Sequence, residues 1–409
     1  MIYWDTELLN NLSGQEKKKF LGKKMIINHL YHQGSLSGSD LSGLLQLSNP
    51  TTMLYINELI AEGYVEDRGK GESIGGRRPA IFGLNRNSLF LFGIDIARKQ
   101  LTISLYNIEL TKVASHTEAT DGVRNEPALI DDIFLRCMML CGEAGIDPEK
   151  IIGVGISMPG LINSETGYSH TYLNFDNQPI TQLFQKKFKR PVFIENDAKA
   201  RTLAEVRFGS GKSVKNMLLI QIDWGLGLGM VFNGELYRGR SGFAGEFSHI
   251  PLDPHGVLCQ CGKVGCLETV ASANALVRFT LEQLENNKHS LLYNQFVANP
   301  SSISASLIIN AALRGDQLAI RQMQRLGENL GKGLAYLIQI LNPELIVLSG
   351  EVMLASDYLM TAIRQSLYTY CLPQLREDTE IRISSLGDDA GVMGAAAVAV
   401  ENLLTTRPG

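Results

Sequence analysis

The chain carries the segment GEFSH at residues 245–249 and the segment CQCGKVGCLE at residues 259–268. Three thiols and one imidazole therefore fall within eighteen residues, and the glycines among them allow the backbone to turn tightly. Three thiolates and one neutral imidazole form the closed four-ligand shell that is typical of structural zinc sites. We predict a structural zinc ion with four ligands: His249, Cys259, Cys261 and Cys266.

Two carboxylates bracket this cluster, Glu246 before it and Glu268 after it. A folded metal loop would hold them near each other, so we expect the ion to shape a polar pocket rather than to take part in chemistry. His255, in a Pro-His-Gly turn, is the nearby competitor for the imidazole position.

Disulfides and buried apolar thiols are the alternatives to a metal. The polar start of the chain, MIYWD, does not have the pattern of a secretory leader. Six cysteines in 409 residues are ordinary for a reducing compartment. Both observations favour the metal, and we expect a cytoplasmic protein.

The composition limits the possible classes of protein. The chain is long enough for two or three domains, and it has no run of 18 apolar residues that would span a membrane. A net charge of −4 gives no overall indication of a polyanionic partner. Any nucleic-acid site must therefore be local.

Residues 1–86 have the pattern of a winged helix-turn-helix domain. Three helical patterns, the last opening at Asn49-Pro50, are followed by two strand patterns that form a hairpin. In this arrangement the polar start of the third helix faces base edges in a DNA major groove. The predicted base-contacting residues are Asn49, Thr51, Thr52 and Tyr55.

The hairpin loop reads GGRRP at residues 75–79, and paired arginines on a narrow loop suit a minor groove. Arg77 and Arg78 are thus the predicted wing contacts. Residues 1–86 hold ten basic and nine acidic side chains, so bulk charge leaves a protein-interaction module as the alternative. The basic residues cluster at the two ends of the domain, Lys17–Lys24 and the wing, and this placement favours DNA.

After Asn85, strand and helix patterns alternate in two cycles. We predict an α/β protein with a first lobe over 87–195, a second lobe over 196–388, and a helix over 389–409 that returns to the first lobe. Two strand-rich lobes with helices and an intervening cleft match the actin-like ATPase (ribonuclease H-like) architecture.

Together, the metal segment, EFSH at 246–249, SMPG at 157–160 and ENDA at 195–198 resemble the ROK family of bacterial repressors and sugar kinases. The resemblance covers roughly residues 20–404 and implies the sugar-kinase form of the fold. Asp197 matches the general base of the kinases. The resemblance implies a sugar site that contains Asn196, Asp197, Glu246, His249, Glu268, Pro159 and Gly160.

The segments that match the family's phosphate loops have lost their pattern. Asp-x-Gly-Gly-Thr of the kinases is replaced by Asp95–Lys99, DIARK, without either glycine. The second loop reads DWGLGLG over 223–229 and keeps its three glycines, but Trp224 replaces a hydroxyl and Asp223 brings a negative charge towards a polyanion. The third loop reads Ser349-Gly350-Glu351 in place of a Gly-Gly pair. We therefore predict that ATP binding is lost and that the protein is not an enzyme.

The resulting prediction is a sugar-responsive transcriptional regulator of carbohydrate-utilisation genes, expected to be a repressor. It would bind operator DNA as a homodimer or a dimer of dimers and a sugar or sugar phosphate between the lobes. Arg98 and Lys99 could recognise an effector phosphate, and a protein partner could also regulate it. The alternative is an ATP-dependent kinase of a hexose or N-acetylhexosamine, with Asp197 as its catalytic base.

Overall fold

The structure is a computed structural model that describes residues 12–71, 78–175 and 178–404. The chain divides into two compact units. The first runs to Asn196 and takes up the chain again at Gly391, and the second covers Asp197–Ala390. In the described part of the chain, none of the helices has the length and apolar character needed to cross a bilayer.

The first unit begins with the predicted winged helix-turn-helix. Its elements are α1 (Gly14–Gln33), β1 (Leu36–Ser37), α2 (Gly38–Leu45), α3 (Asn49–Ala61), β2 (Val65–Lys70) and β3 (Ala80–Leu84). Serines cap two of these helices, since the hydroxyl of Ser37 accepts from the N–H of Asp40 and that of Ser48 from the N–H of Thr51. The three strands form a sheet in the order β1-β3-β2.

The rest of the first unit is a five-stranded mixed sheet with helices. It contains β4 (Phe90–Ile96), β5 (Gln100–Asn107), β6 (Lys112–Ala119), α4 (Ala128–Ala144), β7 (Ile151–Met158), β8 (Ile162–Asn163), β9 (Tyr168–Ser169), α5 (Ile180–Phe188) and β10 (Val192–Asn196). The sheet order is β10-β7-β4-β5-β6, in which β4, β5 and β6 are antiparallel and β7 and β10 are parallel to β4.

The second unit contains a second five-stranded sheet under a larger set of helices. It comprises α6 (Asp197–Phe208), β11 (Met217–Ile222), β12 (Leu226–Phe232), β13 (Glu235–Leu236), α7 (Glu268–Ala271), α8 (Ala273–Leu284), α9 (Tyr293–Ala298), α10 (Ala305–Leu313), α11 (Gln317–Leu341), β14 (Leu345–Ser349), α12 (Ser356–Tyr370), α13 (Pro373–Asp378) and β15 (Glu380–Ile383). Its sheet order, β13-β12-β11-β14-β15, repeats the connectivity of the first sheet.

Both sheets thus place an antiparallel three-strand meander beside two parallel strands, and the predicted α/β class is confirmed. The last helix, α14 (Ala390–Leu404), packs on the first sheet. Gly93 and Gly155 permit this contact, because a Cβ at Gly155 would lie 1.8 Å from the carbonyl oxygen of Ala395. The winged helix also contacts the turn between β5 and β6, where Arg68 donates to Glu109 at 2.7 Å.

Candidate functional site

The metal segment is held in shape by its own backbone. The Cys259 N–H donates to the Lys263 carbonyl at 2.8 Å, and the Gly262 N–H donates back to the Cys259 carbonyl at 2.9 Å. Gly265 has a φ of 69°, and a Cβ there would lie 1.5 Å from the carbonyl oxygen of Asp253. Glycine is therefore required at the point where the segment turns back towards Cys266.

These turns bring the four predicted ligands together. One donor atom from each of His249, Cys259, Cys261 and Cys266 lies within 4.8 Å of all the others. The Sγ of Cys259 is 3.5 Å from Nδ1 of His249, and the Sγ atoms of Cys261 and Cys266 are also 3.5 Å apart. His255, the predicted competitor, is exposed and is not part of this group. Such a Cys3His cluster can bind a metal ion such as zinc.

The electrostatics of the cluster fit a cation. Burial raises the pKa of the Cys266 thiol to about 12 and also raises that of Cys259, whereas the backbone N–H of Lys263 lowers the pKa of Cys261. Thiols must lose their protons to ligate a metal, so the buried sulfurs need the positive charge of an ion to become thiolates. Cys266 and Cys259 are buried, while Cys261 is exposed.

His249 connects the metal cluster to the predicted sugar site. Its Nδ1 faces the sulfur of Cys259, and its Nε2 lies 3.9 Å from a carboxylate oxygen of Glu246. If Nδ1 ligates a metal, Nε2 carries the proton and points to the side of Glu246. The ring can then donate a hydrogen bond on the side away from the ion.

Glu268 and Asp197 are held by the second sheet. Glu268 begins α7 two residues after Cys266, and its Oε2 accepts from the N–H of Leu226 at 3.3 Å. A Cβ at Gly225 would lie 2.8 Å from that oxygen, so the absence of a side chain at Gly225 leaves room for the carboxylate. Asp197 begins α6, and its Oδ2 lies 3.4 Å from Nε2 of Gln221.

The other three predicted sugar contacts belong to the first unit. Asn196 ends β10, and its side-chain amide donates to the carbonyl of Gly160 at 3.1 Å. Gly160 has a φ of 95°, which keeps this turn to residues that tolerate the left-handed region. Pro159 precedes it in the same turn. The structure therefore groups Asn196, Pro159 and Gly160, and it places Asp197, Glu246, His249 and Glu268 in the second unit.

In the winged helix, only some of the side chains that were predicted to contact DNA are exposed. Asn49 and Arg78 are exposed, and Thr51 and Tyr55 are half-buried. Thr52 is completely buried, and its hydroxyl donates to the Ser48 carbonyl at 3.2 Å. The prediction of Thr52 as a base contact is therefore wrong, because its side chain faces the domain core. Arg77 lies outside the described residues.

Two of the lysines that were counted towards a basic DNA-binding surface, Lys19 and Lys23, form ion pairs within the domain. The ammonium of Lys23 is buried and contacts Glu58 at 2.6 Å and Glu62 at 2.7 Å, and Lys19 also contacts Glu58 at 2.6 Å. These ion pairs join α1 to α3. The charge of Lys23 is therefore not available to a DNA phosphate, which corrects part of the placement argument.

Comparison with known proteins finds one family match for the two-lobed part of the chain and another for the winged helix. The sequence profile of the ROK family matches residues 91–402, and a winged helix-turn-helix DNA-binding profile matches residues 23–66. The chain belongs to the ROK family. This confirms the family resemblance and the winged-helix and actin-like fold inferred from the sequence.

Individual ROK proteins resemble the chain over different lengths. The xylose repressor of Bacillus subtilis is 29% identical over 396 residues, which are 96% of this chain and 98% of that protein. The glucokinase of Thermotoga maritima is 32% identical and covers 77% of this chain and 98% of the kinase. The crystal structure of a ROK family transcriptional regulator, a homologue of the Escherichia coli MLC protein, has a TM-score of 0.79 at 29% identity and covers 93% of this chain and 96% of that chain.

This ROK chain uses the glycines of its second phosphate-loop segment for packing. A Cβ at Gly227 would lie 2.7 Å from Cβ of Ala198, and one at Gly229 would lie 1.8 Å from the hydroxyl of Thr202. Both glycines therefore allow α6 to lie close to β12. Helix–strand contact alone is therefore sufficient to account for the presence of both glycines.

Sequence reasoning missed the contacts of three side chains near the predicted sugar site, Gln221, Asp223 and Lys199. Asp223 was judged only as a charge that repels phosphate, although its carboxylate accepts two hydrogen bonds, from Glu351 N–H at 2.8 Å and from Gln221 Nε2 at 2.9 Å. Lys199 is buried and donates to the Gly242 carbonyl at 2.6 Å, which ties α6 to the loop before Glu246. The available signal was polar residues within apolar runs, such as glutamine in LLIQI over 218–222.

Proposed function

We propose that this ROK protein is a sugar-responsive transcriptional repressor without kinase activity. The observation that carries the proposal is the Asp223 carboxylate, which accepts the Glu351 N–H between two loops that match nucleotide loops of the kinases. A carboxylate in that place both occupies a backbone donor and repels a polyphosphate. The length of the match to a xylose repressor, winged helix included, supports the same conclusion.

Sugar recognition is assigned to the carboxylates and the histidine of the second unit. Adjacent hydroxyls of a pyranose can each donate to a carboxylate oxygen of Asp197, Glu246 or Glu268, while Nε2 of His249 donates to a hydroxyl oxygen. Contacts from Asn196, Pro159 and Gly160 remain part of the proposal. Arg98 and Lys99 are exposed in the turn between β4 and β5, where they are assigned to an effector phosphate if the sugar carries one.

Zinc is the metal that best fits three thiolates and an imidazole. It would be held by His249, Cys259, Cys261 and Cys266 and would supply a rigid, closed shell. The chain's own residues do the rest: His249 keeps its Nε2 proton towards Glu246, and the cluster fixes where α7 begins and hence where Glu268 projects.

The DNA-binding part of the proposal uses the exposed residues of the winged helix. Asn49, Thr51 and Tyr55 would reach the major groove, and Arg77 and Arg78 the minor groove. A homodimer or dimer of dimers would place two such helices on an operator of carbohydrate-utilisation genes. The protein would act in the cytoplasm, where a protein partner could add to the control by the sugar.

A thermal-shift screen of the zinc-loaded chain tests the sugar assignment, since a ligand that binds only the native state raises its apparent stability. The panel is D-xylose, D-glucose, N-acetyl-D-glucosamine and their phosphates. We expect at least one to raise the melting temperature, and Asp197→Asn and Glu268→Gln to abolish that rise. A panel without any shift would contradict a sugar effector.

The second candidate function is ATP-dependent sugar phosphorylation. It is favoured by the presence of Asp197 at the position of the kinase base and by the similarity to a glucokinase. A coupled ATP-turnover assay with the same sugars separates the two functions. We expect no turnover above the Asp197→Asn control, and robust turnover that depends on Asp197 would establish the kinase instead.

A further inference from the structure

The carboxyl ends of β11 and β14 bring two turns of the second unit together. The strands are adjacent and parallel, with Gln221 opposite Ser349 in the register. Open α/β sheets bind ligands at this edge, next to the carboxyl ends of their parallel strands. In this chain, Asp223 follows β11 and Gly350-Glu351 follows β14.

Asp223 ties these two turns to each other. One carboxylate oxygen accepts the Glu351 N–H at 2.8 Å, and the other accepts from Nε2 of Gln221 at 2.9 Å. Gly350 allows the approach, because it has a φ of 109° and a Cβ there would lie 2.2 Å from the Ile222 carbonyl oxygen. Both oxygens of Asp223 therefore act as acceptors.

Gln221 links the same carboxylate to Asp197. Its Nε2 lies 2.9 Å from Oδ2 of Asp223 and 3.4 Å from Oδ2 of Asp197. Because both neighbours are acceptors, the amide nitrogen must face them, which fixes the orientation of the amide. Gln221 is only 6% exposed, and its Oε1 is buried with no hydrogen-bond partner among the described residues. Because Oε1 has no such partner, the two carboxylates hold the amide in this orientation through Nε2.

We propose that Asp197, Gln221, Asp223 and the Glu351 N–H form one hydrogen-bonded chain that positions Asp197 for the effector. Gln221 and Asp223 are positioning residues: Asp223 fixes the face of the Gln221 amide, and that amide fixes an oxygen of Asp197. This inference rests on the proposed function, because it assumes that Asp197 accepts a sugar hydroxyl. Neither positioning residue needs to touch the sugar.

Asp223→Ala is the most informative change, since alanine has no acceptor oxygen where aspartate has two. Both the Gln221 amide and the Glu351 N–H then lose the acceptor that Asp223 provides. Gln221→Met removes the central link with little change in volume. Gln322→Met is the matched control, because Gln322 is also a buried glutamine of the second unit with an unpartnered oxygen.

Isothermal titration with D-xylose, D-glucose and N-acetyl-D-glucosamine tests the Asp197 end of the hydrogen-bonded chain. We expect the Asp223 variant and Gln221→Met each to weaken binding by about tenfold, the order expected for a hydrogen bond to a charged group. Since both act through one chain, the double variant should bind about as weakly as Gln221→Met alone. Effects that add in the double variant, or an equal loss in Gln322→Met, would overturn the proposal.

Hydrogen exchange of the Glu351 amide tests the other end without any sugar. Asp223→Ala and Gln221→Met should both accelerate its exchange severalfold, while Gln322→Met should leave the rate unchanged. A wild-type rate in either of the first two variants would overturn the proposal. If the wild-type protein binds none of the three sugars and none of their phosphates, the proposed function fails, but the exchange rates still decide whether the hydrogen-bonded chain exists.

Discussion

Replacing Cys266 with serine removes one ligand from the centre of the proposed metal site. Cys266 is completely buried, and its sulfur lies 3.5 Å from that of Cys261. A serine hydroxyl does not replace a thiolate towards zinc, so the variant should lose the ion. Cys371→Ser is the matched control, because Cys371 is a buried thiol of the same unit that does not belong to the cluster.

The expected magnitude follows from binding linkage. A metal present at about a thousand times its dissociation constant stabilises the native state by about 4 kcal/mol. For a unit the size of Asp197–Ala390, each kcal/mol changes the melting temperature by about 2–4 °C. Loss of the ion should therefore lower the melting temperature of this unit by about 8–16 °C.

Calorimetry combined with metal analysis measures both consequences. The wild-type chain and Cys371→Ser should each contain one zinc ion per chain, and a chelator should lower their melting temperatures. Cys266→Ser should contain none and should not respond to the chelator. If the wild-type protein bound no metal under zinc-replete conditions, or if Cys266→Ser melted like Cys371→Ser, the proposed structural role of the metal cluster would be wrong.

Three other changes test separate parts of the structure. Gly265→Ala places a Cβ against a carbonyl oxygen at a positive φ and should lower the free energy of unfolding by about 1–3 kcal/mol or more, measured by urea denaturation, with loss of metal. Lys23→Met should destabilise the winged helix by roughly 1–3 kcal/mol. Burial opposes the charge of Lys23, but hydrogen bonds to Glu58 and Glu62 raise its pKa. Hydrogen bonds from Lys19 and then Lys23 lower the pKa of Glu58. The ion pair therefore contributes fully between pH 4.5 and pH 10.5, the ordinary pKa values of the two groups. The difference in stability between wild type and Lys23→Met should shrink as pH falls through the lowered pKa of Glu58. It should also shrink as pH rises through the raised pKa of Lys23. Asn49→Ala should weaken binding to a selected DNA fragment by about 1–3 kcal/mol in fluorescence anisotropy, whereas Thr52→Val should leave it unchanged, and the opposite pattern would restore Thr52 as a base contact.

Features that depend on local spacing were predictable from the sequence. The four metal-binding side chains lie within one short segment, and turns made by glycines such as Gly265 bring them together without any distant contact. The helices of the DNA-binding domain were likewise indicated by local signals, such as the caps at Ser37 and Ser48. Thr52 was misassigned although its spacing from Ile56 and Leu59 places all three on one helical face, which a stricter use of the helical period would have marked as buried.

Features that depend on pairing between distant strands or helices were not predictable. Lys23 meets Glu62 across the packing of α1 on α3, which no local pattern specifies. Asp223 meets Glu351, 128 positions later, only because β11 and β14 are neighbours in the sheet. The sequence shows the charge of Asp223, but the two bonds that it accepts require knowledge of the strand order.

Release of DNA by a sugar in the absence of ATP tests the central claim most directly. A DNA fragment selected from genomic sequence by the full-length chain is labelled, and its fluorescence anisotropy is followed during titration with the sugar that gives the thermal shift. The account predicts that the sugar alone releases the DNA and that Asp197→Asn binds the DNA but no longer responds. Release that requires ATP, or a sugar that is consumed as it acts, would contradict it.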